Sequence, residues 1–242
     1  MMMDRETTAG RVIPDMRIEW GALAAPLVAV AWFARRKPLG ALGGLVVLAL
    51  LVMALLAPAL SPYDPRQIIR EANNKVPVYV ASGSVYLLGT DPVGRDILSR
   101  IIYGARISLY VGFGAVLIGV TGWFVVGMVS AYAGGVVDLI VQRIVDAMMA
   151  VPGLIIVLAI MAVLGSLLNN VIIAIVIGML APVVRTVRSQ VLSVKEMEYV
   201  VAARAIGAPS ALIIVRHIMP NSLAIYLVLA TYYLGFSVIV EA

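Results

Sequence analysis

Residues 107–130 read ISLYVGFGAVLIGVTGWFVVGMVS and contain no charged side chain. A helix that crosses the hydrocarbon core of a bilayer needs about 20 predominantly apolar residues, so this stretch predicts a transmembrane helix. Within it Gly112, Ala115, Gly119 and Gly122 recur every three or four residues. Small residues at that spacing form one smooth helix face, which predicts close packing against another helix.

Apolar stretches on both sides of this one are also long enough to span a bilayer, or nearly so. They predict further spans over 39–60, 139–164, 170–184 and 222–240. Pro152 predicts a kink in the third span, because proline removes a helix hydrogen bond. The expected fold class is therefore all-α, a polytopic transmembrane helical bundle with five visible spans.

The composition agrees with a membrane protein. Of 242 residues, 62% are hydrophobic and 13% are charged, against about 45–50% and about 25% in soluble domains. The net charge is +5, and the basic residues beside apolar runs indicate orientation signals. They lack the interleaved aromatic residues of single-strand binders, so membrane lipid is expected as a partner and nucleic acid is not. The absence of cysteine excludes disulfides and thiolate metal sites.

Residues 1–38 are predicted to form a cytoplasmic tail and an interfacial helix. The apolar run 18–34 is short, contains Pro26, and carries Trp20, Trp32 and Phe33 at positions suited to headgroup depth. An extra span or a signal peptide remains an alternative for this run. Arg35, Arg36 and Lys37 follow it and predict that the first span, 39–60, runs from inside to outside, with Gly40 and Gly44 as a small-residue pair.

Residues 61–106 are the main polar interlude and are expected outside the cytoplasm. The prolines of SPYDP at 61–65 end the first helix. Residues 76–88 predict a β-hairpin. Asp91 is a candidate N-cap with Pro92 at the first helical position. Asp96 and Arg100 stand one turn apart and are expected to pair on a short amphipathic helix.

Residues 195–221 read KEMEYVVAARAIGAPSALIIVRHIMPN and are too polar to span. A helix is predicted from Glu196 to Ile206, ended by Gly207 in a left-handed conformation. Pro209 discourages continuation, and Ser210 is expected to cap a second short helix through Arg216, with Pro220 preceding the last span. This helix–turn–helix either receives force from a partner or is an ordinary amphipathic loop that stabilises the bundle.

Several of these motifs resemble those of one family. AARAIG (202–207) and HIMPN (217–221) are similar to the cytoplasmic motif of ABC importer permeases, with Val201 where that family often has Glu and Met219 where it often has Leu. LLGTDPVGRDILSR (87–100) and LLAPALSPYDP (55–65) resemble elements of the dipeptide/oligopeptide/nickel permeases, above all their second permease subunit. GARISLYVG, AYAGGVVD and VDAMMAVPG follow in that family's order.

The resemblance implies the type I ABC importer permease fold in a bacterial inner membrane, with a core permease domain over 107–242. It implies a sixth span after Glu241, which this sequence does not contain. Segment 195–220 would couple to the ATPases, and the turn at 89–96 would form an outer gate or contact the binding protein. The implied coupling residues are Glu198, Ala202, Ala203, Arg204, Gly207, Pro209 and Pro220; the implied outer residues are Gly89, Thr90, Asp91, Gly94, Arg95 and Asp96. A capped helix that seals the outer end is the alternative for the second set.

The partners implied are a second homologous permease, two ABC ATPases and an extracytoplasmic substrate-binding protein. The chain has no phosphate-binding loop, so it is expected to bind no cofactor, and partner ATPases would use the ATP and Mg. The expected cargo is di- or oligopeptides, with nickel or another small solute as the alternative. An ion-driven secondary transporter is a weaker alternative, because the span centres are nearly free of charge.

Four further residues have sequence positions that suggest a role. His217, the only histidine, has no acidic partners arranged for zinc and is expected at headgroup depth or at an interface of segment 195–220. Arg143 and Asp146 stand three residues apart and are expected to form a local ion pair, with a gate contact as the alternative. Glu241 lies at the outer end of the fifth span, where a buried carboxylate would indicate a functional site and an interfacial one would not.

Overall fold

Helices account for most of the residues that the structure, a computed structural model, describes: 32, 34–68, 77–81 and 84–241. The chain divides into two units, Met1–Ala49 and Leu50–Ala242. Of the run 18–34, for which an interfacial helix is predicted, only Trp32 and Ala34 belong to the described residues. In the first unit the guanidinium of Arg36 lies 4.6 Å from the centre of the Trp32 ring.

The first predicted span is helix α1, Pro38–Leu55, followed by the short helix α2, Ala57–Leu60. The helix is interrupted at Leu56, and a new helix begins after it. Pro58 falls in the first turn of this helix, where the N–H that proline lacks would have no helical acceptor. The predicted hairpin is confirmed: β1, Tyr79–Ala81, pairs antiparallel with β2, Ser84–Tyr86, with Tyr79 opposite Tyr86.

One continuous helix runs from Ile97 to Ala133 and contains 37 residues. It consists of α3, Ile97–Ala115, a π-helical turn, Val116–Val120, and α4, Thr121–Ala133. The helix therefore begins ten residues before the predicted span 107–130, because the amphipathic segment after Asp96 joins it without a break. At about 1.5 Å per residue it is longer than the roughly 30 Å hydrocarbon core, so its ends extend beyond that core.

The smooth face predicted on this helix does pack closely at three of its four positions. A β-carbon on Gly112 would lie 3.3 Å from Ser237 Oγ, and one on Gly119 would lie 2.6 Å from Met179 Sδ. Ala115 is fully buried, whereas a β-carbon on Gly122 would meet nothing within 4 Å among the described residues.

The third and fourth spans are both bent. Helices α5, Gly135–Met149, and α6, Gly153–Leu164, meet at 85°, which confirms the kink at Pro152. Helices α7, Leu168–Gly178, and α8, Leu180–Lys195, meet at 42°. Helix α8 continues eleven residues past the predicted end at 184, because Val187, Val191 and Val194 form a buried stripe along it.

After α8 the chain forms helix α9, Glu198–Ala205, and then α10, Ser210–Ile213, a π-helical turn, Ile214–Ile218, and α11, Met219–Glu241. The last three form one helix of 32 residues. The prediction of a separate short helix capped by Ser210 was wrong, because no side chain caps α10 and the π turn carries the helix past Pro220. The side chain of Asn221 donates to the carbonyl of His217 there, 2.6 Å away.

Within the described ranges three helices are long and apolar enough to cross a membrane: α1, the helix 97–133 and the helix 210–241. Counting each bent pair as one span brings the number of crossings to five, which agrees with the five predicted spans.

Candidate functional site

Segment 195–220 lies against the C-terminal end of the long helix 97–133. Lys195 Nζ donates to the carbonyl oxygen of Tyr132 at 3.1 Å, one residue before that helix ends. The cations of Lys195 and Arg204 lie 5.8 and 5.9 Å from the centre of the Tyr132 ring. Lys195 at the start of the segment and Arg204 in helix α9 therefore both contact the end of helix 97–133.

The turn after α9 is a complete Schellman motif. The N–H of Gly207 donates to the carbonyl of Arg204 at 3.0 Å, and the N–H of Ala208 donates to that of Ala203 at 3.1 Å. Gly207 has φ +79°, a left-handed conformation that other L-residues adopt at a cost. The helix end predicted from the sequence at Gly207 is therefore confirmed, and Pro209 follows in extended conformation.

The segment has one buried face and one exposed face. Val200, Ala203 and Ile213 are buried against the bundle, so Ala203 acts by packing. Ile206 is 85% exposed. The remaining predicted coupling residues are also exposed, namely Glu198, Ala202, Arg204, Gly207, Pro209 and Pro220. So are several apolar side chains, among them Met197, Tyr199, Val201, Leu212 and Val215. A mixed apolar and polar surface of this kind suits protein docking.

The sequence-predicted residues of this segment are not all brought together. Glu198 to Pro209 cluster around α9 and its turn, whereas Pro220 lies inside the continuous helix beyond the π turn. His217 is half-buried, with its ring 6.0 Å from that of Tyr199. This contact joins the start of α9 to the helix 210–241.

At the other end of helix 97–133, the turn 89–96 folds around the carboxylate of Asp91. Its Oδ1 accepts the backbone N–H groups of Val93 and Arg95, both at 2.9 Å. Its Oδ2 accepts from Arg95 Nε at 2.8 Å and from an Nη of Arg100 at 2.5 Å. Burial by itself would raise the pKa of Asp91, but the hydrogen bonds from Arg95 and Val93 and the charge of Arg95 lower it to about 2.

Two predictions about this turn were wrong. Asp91 does not cap the helix; Asp96 does, with Oδ2 accepting the N–H of Ser99 at 2.8 Å and its hydroxyl at 2.6 Å. Arg100 consequently pairs with Asp91 and not with Asp96. Physically, the left-handed Gly94, φ +83°, turns the chain back so that Asp91 faces Arg100.

The six predicted residues of the turn lie together, and most of their hydrogen-bonding groups have partners within the turn or next to it. Thr90, Asp91 and Asp96 are buried, and Thr90 and Asp96 form a β-bridge. Gly89, φ +79°, accepts from the N–H of Ile97 at 3.2 Å. Pro92 and Val93 are the exposed residues of the turn.

The two motifs therefore lie at opposite ends of one helix bundle. Helix 97–133 begins at the turn 89–96 and ends beside Lys195 and Arg204. Helix 210–241 runs antiparallel to it, because Ser108 Oγ donates to Glu241 Oε2 at 3.0 Å near the start of the first helix. Glu241 is thus a half-buried residue with a hydroxyl partner.

Two ion pairs between α5 and α8 were missed by the sequence analysis. Arg188 binds Asp138 bidentately, and Arg185 pairs with Asp146. The predicted Arg143–Asp146 pair was wrong, because Asp146 faces α8. Asp138, Gln142 and Asp146 recur every four residues on α5, and this spacing was the available signal.

Comparison with known proteins identifies the family. A profile described as "Binding-protein-dependent transport system inner membrane component" matches residues 123–241. A second, described as "N-terminal TM domain of oligopeptide transport permease C", matches residues 22–77. The first match contains both bent spans, segment 195–220 and the last helix.

Individual relatives are named as permease proteins of transport systems. The dipeptide transport system permease protein DppC of Haemophilus influenzae is 37% identical over 195 residues, which are 80% of this chain and 66% of that protein. The glutathione transport system permease protein GsiD of Pectobacterium atrosepticum is 36% identical over 208 residues, 86% of this chain and 67% of that protein. The protein named "Probable D,D-dipeptide transport system permease protein DdpC" of Escherichia coli is 32% identical over 242 residues, 100% of this chain and 77% of that protein.

The chain thus spans slightly less than two thirds of the dipeptide permease that it matches. Both profiles and the relatives agree with the membrane-crossing helices of the structure and with the motifs at residues 55–65, 87–100 and 202–221. The chain belongs to the family of binding-protein-dependent transport system inner membrane components, the multi-pass permeases of ABC importers.

Proposed function

We propose that this chain is the permease subunit of an ATP-driven importer of di- or oligopeptides and forms half of its translocation path. The observation that carries the proposal is the position of segment 195–220. It is a partly apolar surface at one end of helices that cross the membrane, and Lys195 joins it to the end of helix 97–133. Relatives named as dipeptide permeases support peptides as the cargo.

Segment 195–220 is proposed as the coupling site for cytoplasmic ATPases. Its exposed face offers Ile206 and Tyr199 for burial, with Glu198 and Arg204 beside them for charge pairing. Because α9 contacts the end of helix 97–133 and leads into helix 210–241, a displacement of α9 is transmitted to two membrane-crossing helices. ATP and Mg act in the partner ATPases, and this chain supplies no catalytic group.

The turn 89–96 is proposed to shape the extracytoplasmic mouth. Asp91 and Asp96 are turned inward and hold the turn in one conformation. Pro92 and Val93 are exposed, and they are the residues offered to an extracytoplasmic binding protein or to a gate. Asp91 and Asp96 would then act by positioning them.

The complete importer is proposed to contain this chain, a second homologous permease, two ABC ATPases and a substrate-binding protein, with lipid around the helices. The chain contains no cysteine, so a single introduced cysteine is the only thiol on it. Ile206→Cys places that thiol on the proposed docking face, and Val93→Cys places one on the opposite end.

In intact cells carrying the complete transporter, a membrane-impermeant thiol reagent is expected to modify Val93→Cys and to leave Ile206→Cys unmodified. Bifunctional crosslinking from Ile206→Cys is expected to recover a nucleotide-binding subunit. Modification of Ile206→Cys from outside, or its crosslinking only to other proteins, would overturn the proposed function.

A further inference from the structure

A polar stripe crosses the interface between α5 and α8. Asp138, Gln142 and Asp146 lie on successive turns of α5, and Arg185 and Arg188 face them from α8. Both helices belong to bent membrane-crossing segments, and charged side chains that face each other between such helices are candidates for a function.

The two ion pairs of the stripe differ in burial. Arg188 Nε donates to both oxygens of Asp138, at 3.0 and 2.9 Å, and its Nη2 donates to Oδ2 at 2.7 Å. The side chains of Asp138 and Arg188 are 12% and 34% exposed, so this pair, called the brace below, is the more buried of the two. The Arg185 and Asp146 side chains are 48% and 51% exposed, so the second pair is open on one side.

The open side is a cavity of about 550 Å³. Its lining residues are Gln142, Asp146, Arg185, Arg188, Ser189 and Leu192. The Nε2 atom of Gln142 is buried and has no hydrogen-bond partner in the described part of the chain. A buried donor left without an acceptor is costly.

Acyl chains cannot fill this cavity, because an exposed ion pair in contact with them would lose its hydration. The cavity therefore faces water, a solute, a lipid headgroup or another protein. A peptide with free termini carries one ammonium and one carboxylate, whose charges are opposite to those of Asp146 and Arg185 respectively.

We infer that this cavity is a solute-contact site for the charged termini of a peptide. The peptide's ammonium binds Asp146, and its carboxylate binds Arg185. The inference rests on the proposed function, because it requires the importer to carry peptides. The ion pair between Asp138 and Arg188 holds α5 against α8 and so fixes the positions of the residues that line the cavity.

Thiol labelling tests the site in the assembled transporter. Ser189→Cys lines the cavity, and Ile144→Cys is a control on an exposed position of α5 outside it. In inverted membrane vesicles, a charged thiol reagent is expected to modify Ser189→Cys, and dialanine is expected to slow that reaction. N-acetyl-dialanine amide, which lacks both charges, is expected to leave the rate unchanged, and neither compound should affect Ile144→Cys.

Arg185→Gln is expected to raise the dialanine concentration for half-protection about tenfold, the effect of losing one charge-assisted hydrogen bond. Arg143→Gln, on the same helix as Asp146 but outside the cavity, is the matched control and should leave this concentration unchanged. The exchanged pair Asp146→Arg with Arg185→Asp restores an ion pair but reverses the site. The exchanged pair should therefore not restore protection by dialanine. If the pair had only a structural role, the exchange would restore that protection.

The inference is overturned if Ser189→Cys is unreactive, or is protected equally by the capped peptide, in a transporter that imports dialanine normally. If cells with the complete transporter import no peptide at all, the proposed function itself fails, which is a separate result.

Discussion

Gly153 and Gly178 meet where the two bent spans cross. A β-carbon on Gly178 would lie 3.4 Å from the carbonyl oxygen of Gly153 and 2.9 Å from Val157 Cγ2, and one on Gly153 would lie 3.4 Å from the carbonyl oxygen of Gly178. The 85° bend after α5 and the 42° bend after α7 therefore lie against each other. Only small residues permit this approach.

The contact predicts that Gly178→Ala destabilises the protein. The added methyl group overlaps Val157, and overpacking of this kind costs about 1–3 kcal/mol in the free energy of unfolding. Thermal unfolding of the purified transporter measures the effect. Adding Val157→Ala should restore part of the lost stability, because it removes the overlapping Cγ2.

Gly122→Ala is the matched control for this substitution. It lies in helix α4, and its β-carbon would meet nothing within 4 Å in the described structure. Stability should stay the same or rise by up to about 1 kcal/mol, because alanine is the better helix former. Equal destabilisation by both substitutions would contradict the role given to the Gly153–Gly178 contact.

Gly207→Val is expected to impair coupling more than folding. A β-branched residue at φ +79° strains the turn by about 1–2 kcal/mol, which changes the angle between α9 and the helix 210–241. Peptide uptake should fall while the amount of the chain in the membrane, measured by immunoblot, stays near normal. Gly207→Asn should retain more uptake because asparagine tolerates left-handed geometry; disappearance of the valine variant from the membrane would count against this prediction.

Asp138→Asn is expected to be strongly destabilising, because it leaves the partly buried Arg188 without its charged partner. Breaking a buried ion pair costs about 3–5 kcal/mol. Asp146→Asn breaks a pair that is about half exposed and should cost about 1 kcal/mol or less. Thermal unfolding of the two variants in the same detergent compares them, and similar losses would refute the distinction between the brace and the open pair.

The backbone amides of the turn 89–96 should lose their protection from hydrogen exchange in acid. The pKa of Asp91 is lowered from 3.8 to about 2, so its contribution to stability is fully present above about pH 4 and is lost as the pH falls through about 2. Hydrogen exchange of the Val93 and Arg95 amides, corrected for intrinsic rates, should show this loss. In Asp91→Asn the same amides should exchange faster at pH 4, with little further change between pH 4 and 2.

Much of the bundle could be predicted because each span depends on its own residues. The apolar stretches, the kink at Pro152 and the helix end at Gly207 are local, since burial in lipid and backbone sterics act on short segments. The hairpin at 76–88 was found for the same reason. The motifs at 87–100 and 202–221 also indicated the family, which the comparisons confirm.

The wrong predictions concern side chains whose partner is distant in sequence or is determined by the conformation of one turn. Asp91 was expected to cap the helix and Asp146 to bind Arg143, because local spacing permits both. The left-handed Gly94 and the packing of α8 on α5 supply other partners for them. Sequence spacing shows which contacts are possible but not which of them the fold selects.

The sequence by itself determined that this chain resides in a membrane and where its helices turn, because transfer of apolar side chains into lipid and the backbone freedom of glycine and proline are properties of single segments. Only the tertiary structure decided that Lys195 and Arg204 contact Tyr132 at the end of the helix that begins after the turn 89–96, and that Asp146 and Arg185 border a cavity. Those relationships depend on how separate helices pack, and the packing is fixed by the joint fit of many side chains.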